Sequence, residues 1–284
     1  MAWRVVIATR ILPVALGFDA AIREAGHEPV GLLTIRDLGG VYLDGSLHEV
    51  PGELDVLIPA ERSSIAPLLE AVRPDLVVCM GFPWKIPRAA LAVPPLGWLN
   101  GHPSLLPEHR GPIPLSWAIR AGDEAVGVSF HFMDAELDTG PIVAQRRFPL
   151  GEPMEPDAFY AQMGPVVVET LLEALERVAA GERGTPQEGG TYESFFTADD
   201  VWLDPARSAR ELHLLAWAWL YTPPVGTERG LLAAVDGVTV RVLESSLTEV
   251  AGATRVDCAD GPLWLVRTER LPEPDPAAAT APQT

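Results

Sequence analysis

The sequence predicts an α/β protein, with a Rossmann-like amino-terminal domain on a mainly parallel sheet followed by a small β-rich, barrel-like domain. Three observations carry this. Short apolar runs alternate with helix-patterned segments through the first half, as buried parallel strands and their crossover helices do. A polar, glycine-rich stretch from Gly181 to Gly190 then breaks the pattern, and beyond it short runs rich in apolar and β-branched residues recur between turn signals.

Residues 3–8 read as a buried first strand, and residues 18–25 as part of an amphipathic helix closed by Gly26. Residues 29–34 form the second expected strand, 65–72 a helix and 75–80 a third strand. A short strand over 97–100, a helix over 115–120 and strands over 126–133 and 142–148 come next, then a long helix over 156–180. Beyond the break, 208–220 reads as a helix, and 230–235, 238–244 and 263–269 as strands. The expected domains are 1–185 and 186–271, with a disordered Pro- and Ala-rich tail over 272–284.

At 284 residues and 48% apolar composition the chain can bury a large core. No basic segment precedes an apolar one at Met1, and the richest apolar stretch, 212–221, falls far short of the ~20 residues that span a bilayer. No membrane is therefore expected. Two isolated cysteines, Cys79 and Cys258, argue against a disulfide framework or a metal cluster, so the expected setting is cytoplasmic and metal-free. The net charge of −18 leaves few cations to neutralise phosphates, and nucleic acid is not expected as a partner.

One segment concentrates chemistry: Asn100-Gly-His102-Pro-Ser104-Leu-Leu-Pro107-Glu-His-Arg110-Gly111, and later Leu137-Asp138-Thr-Gly140. Asn100 ends a buried strand, where open parallel sheets place their ligands. His102 lies two residues further on, in a loop stiffened by Pro103 and Pro107, and Asp138 lies in a loop between two strands. An amide donor beside an imidazole, with a carboxylate to orient it, can stabilise a tetrahedral oxyanion and move protons. Taken singly, each is as well explained as a turn former or a loop residue satisfied by backbone. His131 reads as a structural or edge-exposed strand residue, and the C-terminal tryptophans as packing.

With these residues in place, the sequence resembles the 10-formyltetrahydrofolate-dependent formyltransferases. The family's Asn-x-His, Ser-Leu-Leu-Pro-x-x-Arg-Gly and Asp-x-Gly are matched by Asn100, His102, Ser104 to Pro107, Arg110-Gly111, and Asp138 with Gly140. The resemblance covers residues 1–180 well; more weakly, Thr191-Tyr-Glu and the helix before Pro223-Pro224 resemble the linker and small domain of methionyl-tRNA formyltransferases. It implies an N-formyltransferase that uses 10-formyltetrahydrofolate as donor and needs no metal, with a small-molecule amine as partner. Asn100 and a His102 imidazolium would stabilise the oxyanion, and Asp138 would help carry a proton from the amine to the leaving folate nitrogen. The pterin pocket would be built from Phe82, Trp84, Lys85 and Ile86 and from Met133, Asp134 and Leu137. Arg10, Ser104 and Arg110 are the candidate contacts to the acceptor.

The acceptor expected is an amino sugar, an amino acid or a secondary-metabolite precursor. The turn after the first strand, Ala8-Thr-Arg10-Ile-Leu-Pro13, lacks the glycine-rich phosphate cradle of the glycinamide ribonucleotide enzymes. Initiator tRNA is the alternative, weakened by one cation, Arg36, against Asp37, Asp44 and Glu49 in residues 34–50, and by seven arginines against 14 acidic residues in 190–284. Hydrolysis of the donor by the same triad is the second alternative. A catalytically silent folate-binding module would need a damaged triad. The expected chain is free-standing, with neither a dehydrogenase module nor a regulatory domain fused to it.

Overall fold

Apolar runs that cannot face water become the middle of a sheet. In the computed structural model, which describes residues 1–36, 47–151, 154–222 and 230–271, five strands are parallel: β1 (Arg4–Ala8), β2 (Glu28–Leu33), β3 (Asp55–Leu57), β4 (Leu76–Cys79) and β5 (Trp98–His102). Two more, β6 (Ala125–Phe132) and β7 (Ile142–Pro149), continue the sheet antiparallel. The strand order is β3-β2-β1-β4-β5-β6-β7. Val5 to Ala8 and all of β4 are buried, as strands covered on both faces must be.

The helices are α1 (Leu12–Glu24), α2 (Ile65–Val72), α3 (Arg88–Leu91), α4 (Pro114–Ala121) and α5 (Pro156–Ala179). The helix expected over 65–72 is α2 to the residue; it stops where Arg73 turns left-handed at φ 53°. Helix α1 contains most of the expected 18–25 segment and begins at Leu12, with Pro13 in the first turn, where a missing N–H leaves no bond unmade.

His102 is a correction to the expected loop placement. Strand β6 pairs with β5 through Asn100↔His131 and His102↔Ser129, so the ladder carries the strand two residues past Asn100. The sheet order reverses between β1 and β4, and the crevice of an open α/β sheet forms beyond the carboxyl ends of such strands.

Two compact units emerge, Met1–Pro114 with Glu124–Glu193, and Leu115–Asp123 with Ser194–Thr284. The division falls at Glu193, later than 185. The second unit holds α6 (Ala209–Trp219), capped by the Ser208 hydroxyl accepting from the Glu211 N–H, and a curled antiparallel sheet. Its strands are β8 (Leu231–Val235), β9 (Val238–Ser246), β10 (Thr254–Cys258) and β11 (Gly261–Arg270), in the order β10-β11-β9-β8. Leu212 and Leu215 of α6 are buried, as are Leu231, Val242, Leu263 and Leu265 of the sheet. In the same unit, Trp117 of α4 meets the Phe196 ring edge-on, and Arg120 lies over both rings while pairing with Asp200. Trp117 and Trp219 are thus packing residues, the second as expected; Trp219 also donates its indole N–H to the Asp200 carbonyl. The expected tail over 272–284, and most of the acidic loop within 34–50, lie outside the described residues.

Candidate active site

The end of β5 and the two loops facing it bring Asn100, His102 and Asp138 together. His102 is 4% exposed. Its Nε2 lies 2.9 Å from the His109 carbonyl oxygen, which can only accept, so Nε2 carries a proton. Its Nδ1 lies 3.6 Å from Asp138 Oδ1. The ring thus lies between a carbonyl on one side and a carboxylate on the other. Asp138 sits at φ 59°, and its Oδ2 accepts the Gly111 N–H at 3.0 Å. The Asp-x-Gly spacing has a steric cause, since a Cβ at Gly140 would overlap the Phe132 carbonyl oxygen.

His131 belongs to this group, contrary to the sequence expectation. It is 1% exposed, and its Nε2 is 3.1 Å from Asn100 Nδ2 while its Nδ1 is 2.9 Å from the Phe132 carbonyl. The carbonyl fixes the proton on Nδ1, so Nε2 accepts from the Asn100 amide. Burial pushes the His131 pKa down to about 4, helped by the charge of His102 and opposed by Asp138. The ring is therefore neutral near pH 7 and fixes which edge of Asn100 is the N–H edge. The second Asn100 N–H reaches Asp138 Oδ1 only at 3.4 Å, long for a hydrogen bond, which leaves it able to turn to a better acceptor.

The residues named for the folate ring gather in the same unit. Ile86 is buried in the core cluster of β1, α2 and β4, and Phe82, Trp84 and Met133 pack against that cluster half-buried. The Phe82 and Trp84 rings meet edge to face at 6.1 Å. Asp134 organises the facing turn: its Oδ1 accepts from the Glu136 N–H at 3.0 Å and the Thr139 hydroxyl at 2.8 Å. Leu137 on that turn is exposed. Beside both segments lies a cavity of about 370 Å³ lined by Arg62, Lys85, Ile86, Pro87, Arg88, Ala135 and Glu136. Three cations around one opening stand out in a chain of net charge −18, although Lys85 is 3.6 Å from Glu136. A cation-lined cavity beside these aromatic side chains fits a flat heterocycle that ends in carboxylates.

The acceptor residues divide. Arg10 follows β1 at the switch point, half-buried. Ser104 is a correction: it is 1% exposed, its hydroxyl donates to the Glu108 carbonyl at 2.7 Å, and its carbonyl accepts from Ser129. Its polarity is spent on shaping the loop. Arg110 donates from Nε and Nη2 to Gln187 Oε1 at 3.1 and 2.9 Å, and so braces the loop it belongs to. Gln187 went unnoticed in the sequence, being one polar residue in a polar, glycine-rich segment. His131 left a fainter signal as the one ionisable residue in the run 125–132.

A doubly wound sheet with an amide, an imidazole and a carboxylate gathered at the end of a central strand is an arrangement that can stabilise an oxyanion and move a proton, as group-transfer enzymes do. Residues 59–175 match the model of the formyl transferase family, "Formyl transferase". Methionyl-tRNA formyltransferase from Symbiobacterium thermophilum is 32% identical over 263 residues, covering 80% of this chain and 81% of that protein. The enzyme of the same name from Roseiflexus sp. is 35% identical over 199 residues, where the chain spans 60% of its length. This chain belongs to the formyl transferase family. Two solved structures share the fold. HypX from Aquifex aeolicus, in complex with tetrahydrofolic acid, has a TM-score of 0.66 at 20% identity, covering 95% of this chain and 44% of HypX. A 4-N formyltransferase from Francisella tularensis has a TM-score of 0.66 at 17% identity, covering 84% and 95%.

Proposed function

We propose that this protein transfers the formyl group of 10-formyltetrahydrofolate to the amine of a small molecule. The observation that carries the chemistry is the convergence of Asn100, His102 and Asp138 at the end of β5, in the same unit as Phe82, Trp84, Ile86 and Met133. When bound, the donor supplies an activated formyl carbon. Asn100 turns its loosely held N–H from Asp138 to the formyl oxygen, and the His102 ring adds positive charge beside it. A preorganised donor of this kind is worth about 3–4 kcal/mol in the transition state. Asp138 accepts a proton from the attacking amine, directly or through a water, as the new N–C bond forms. The bond from the formyl carbon to the folate nitrogen breaks, and the proton passes to that nitrogen, so charge balances without a metal. Arg62, Lys85 and Arg88 face the glutamate end of the donor, and Arg10 faces the acceptor side at the end of β1.

Charge supports the small acceptor. The second unit carries Arg207, Arg241, Arg255 and Arg267, and each lies in ion-pair range of a carboxylate: Glu211, Glu269, Asp257 and Glu244. Fewer cations are then free to neutralise the phosphates of a polyanion. The second reading, initiator tRNA, is favoured by a relative named methionyl-tRNA formyltransferase that aligns over 80% of the chain. The fold itself does not decide, because a 4-N formyltransferase shares it. The deciding experiment follows tetrahydrofolate release from the formyl donor with no acceptor, with a panel of amino sugars and amino acids, and with charged initiator tRNA. Release that depends on a small amine is expected. Release that needs tRNA would overturn the acceptor, and equal release in water alone would make the protein a hydrolase.

A further inference from the structure

We infer that Gln187 is a positioning residue of the active site, through which the segment after α5 sets the Asp138 carboxylate against His102. Both loops of the site hang on this segment. Thr185 exchanges backbone hydrogen bonds with Ile142, at 2.8 and 2.9 Å. Further on, the Thr191 hydroxyl and carbonyl accept the N–H groups of His109 and Arg110, and Glu193 donates its N–H to the Arg110 carbonyl. The two chains come so close that a Cβ at Gly111 would overlap the Glu193 carbonyl oxygen. Between these anchors the Gln187 side chain joins the loops to each other. Its Nε2 donates to the carbonyls of Asp138 at 3.0 Å and Gly140 at 2.7 Å, and its Oε1 accepts both N–H groups of Arg110.

The partners fix the amide's orientation, because two carbonyls can only accept and a guanidinium can only donate. Gln187 thereby holds Asp138 from the main-chain side while the Gly111 N–H holds it from the carboxylate side. A turn residue at positive φ has no regular ladder to keep it in place, so these two grips set the 3.6 Å approach to His102 Nδ1.

The inference rests on the catalytic roles proposed above, and its test uses the full chain in two variants. Gln187→Leu removes the bonds to the Asp138 and Gly140 carbonyls and the bonds from Arg110, and leaves the Gly111 N–H on the carboxylate. Gln187→Glu keeps the length and the Arg110 contact but sets a carboxylate oxygen against two carbonyls. Binding of a folate analogue reports that each variant is folded. The expected result is a fall in kcat of tenfold or more in both variants, with the analogue Kd changed less than threefold. Alongside, the His102 ring resonances in a histidine-labelled sample should move relative to wild type. Wild-type kcat in either variant, or loss of analogue binding together with kcat, would overturn the inference, as would failure of both variants to fold. The ring resonances separate the two claims: a wild type that turns over no donor sinks the proposed activity, while a shift or its absence still decides whether Gln187 sets the geometry at His102.

Discussion

His131 carries a titration that the rest of the molecule feels. In the folded protein its pKa lies near 4, from an ordinary 6.5, because the ring is buried and lies beside the charge of His102, which together outweigh the opposing pull of Asp138 and the Phe132 carbonyl. The unfolded chain therefore takes up a proton at higher pH than the native one. The stability owed to the neutral ring is fully present above pH 6.5 and is lost as pH falls toward 4, by roughly 3 kcal/mol in all. Urea unfolding followed from pH 7 to pH 4.5 should show this loss. His131→Asn should start lower at pH 7, having lost its fit, yet decline less steeply by about one proton's worth of slope. Parallel slopes for the two proteins would show that the ring takes no part. The same protonation sets an N–H against the Asn100 N–H, so activity should fall over this range as well.

The turn from Met133 to Gly140 is an element whose own residues hold it in shape. Asp134 closes it through the Glu136 N–H and the Thr139 hydroxyl, and the turn contributes Ala135 and Glu136 to the cation-lined cavity. Removing one acceptor of two hydrogen bonds costs about 1 kcal/mol for each. Asp134→Ala is therefore expected to raise the KM for the donor about tenfold and to leave kcat within a fewfold, since Asp138 keeps its grips from Gly111 and Gln187. Steady-state kinetics at saturating acceptor check this; a loss confined to kcat would mean that Asp134 serves the chemistry. Elements of this kind were only partly legible in the sequence. Strands and helices with long apolar periods, such as α2, β6 and α5, declared themselves. The three residues of β3, the four of α3 and the polar β10 (Thr254–Cys258) carry too little pattern to be seen and form because neighbours are there to pair with them. The triad was readable because its residue types cluster in one motif and its partner turn. The amide of Gln187 and the ring of His131 were not, since their roles arise from pairing across 77 residues to Arg110 and across 31 residues to Asn100.

At the scale of the whole molecule, charge is the property that separates the two acceptors. A protein that grips a tRNA neutralises phosphates with Lys and Arg, and its affinity falls steeply as salt rises. This chain has 39 Asp and Glu against 21 Lys and Arg, and in the second unit several arginines are already engaged by carboxylates. Cations do gather at the Arg62, Lys85 and Arg88 opening, but a cavity of about 370 Å³ suits the carboxylate tail of a folate and not the stem of an RNA helix. Long-range repulsion acts over about 30 Å at 0.01 M salt and about 8 Å at physiological strength. An acceptor bearing many phosphates is thus penalised most where electrostatic binding should be strongest. In a gel-shift titration with charged initiator tRNA at 0.01 M salt, no complex is expected at micromolar protein, and adding salt should not create one. A folate analogue should bind under the same conditions, and its affinity should weaken with salt only in proportion to the carboxylates it places at the cation-lined opening. Arg62→Gln should remove part of that salt dependence without touching kcat. A tight tRNA complex that dissolves as salt rises would show that the arginines of this acidic protein are shared out differently than their ion pairs indicate, and the small-amine acceptor would have to be given up.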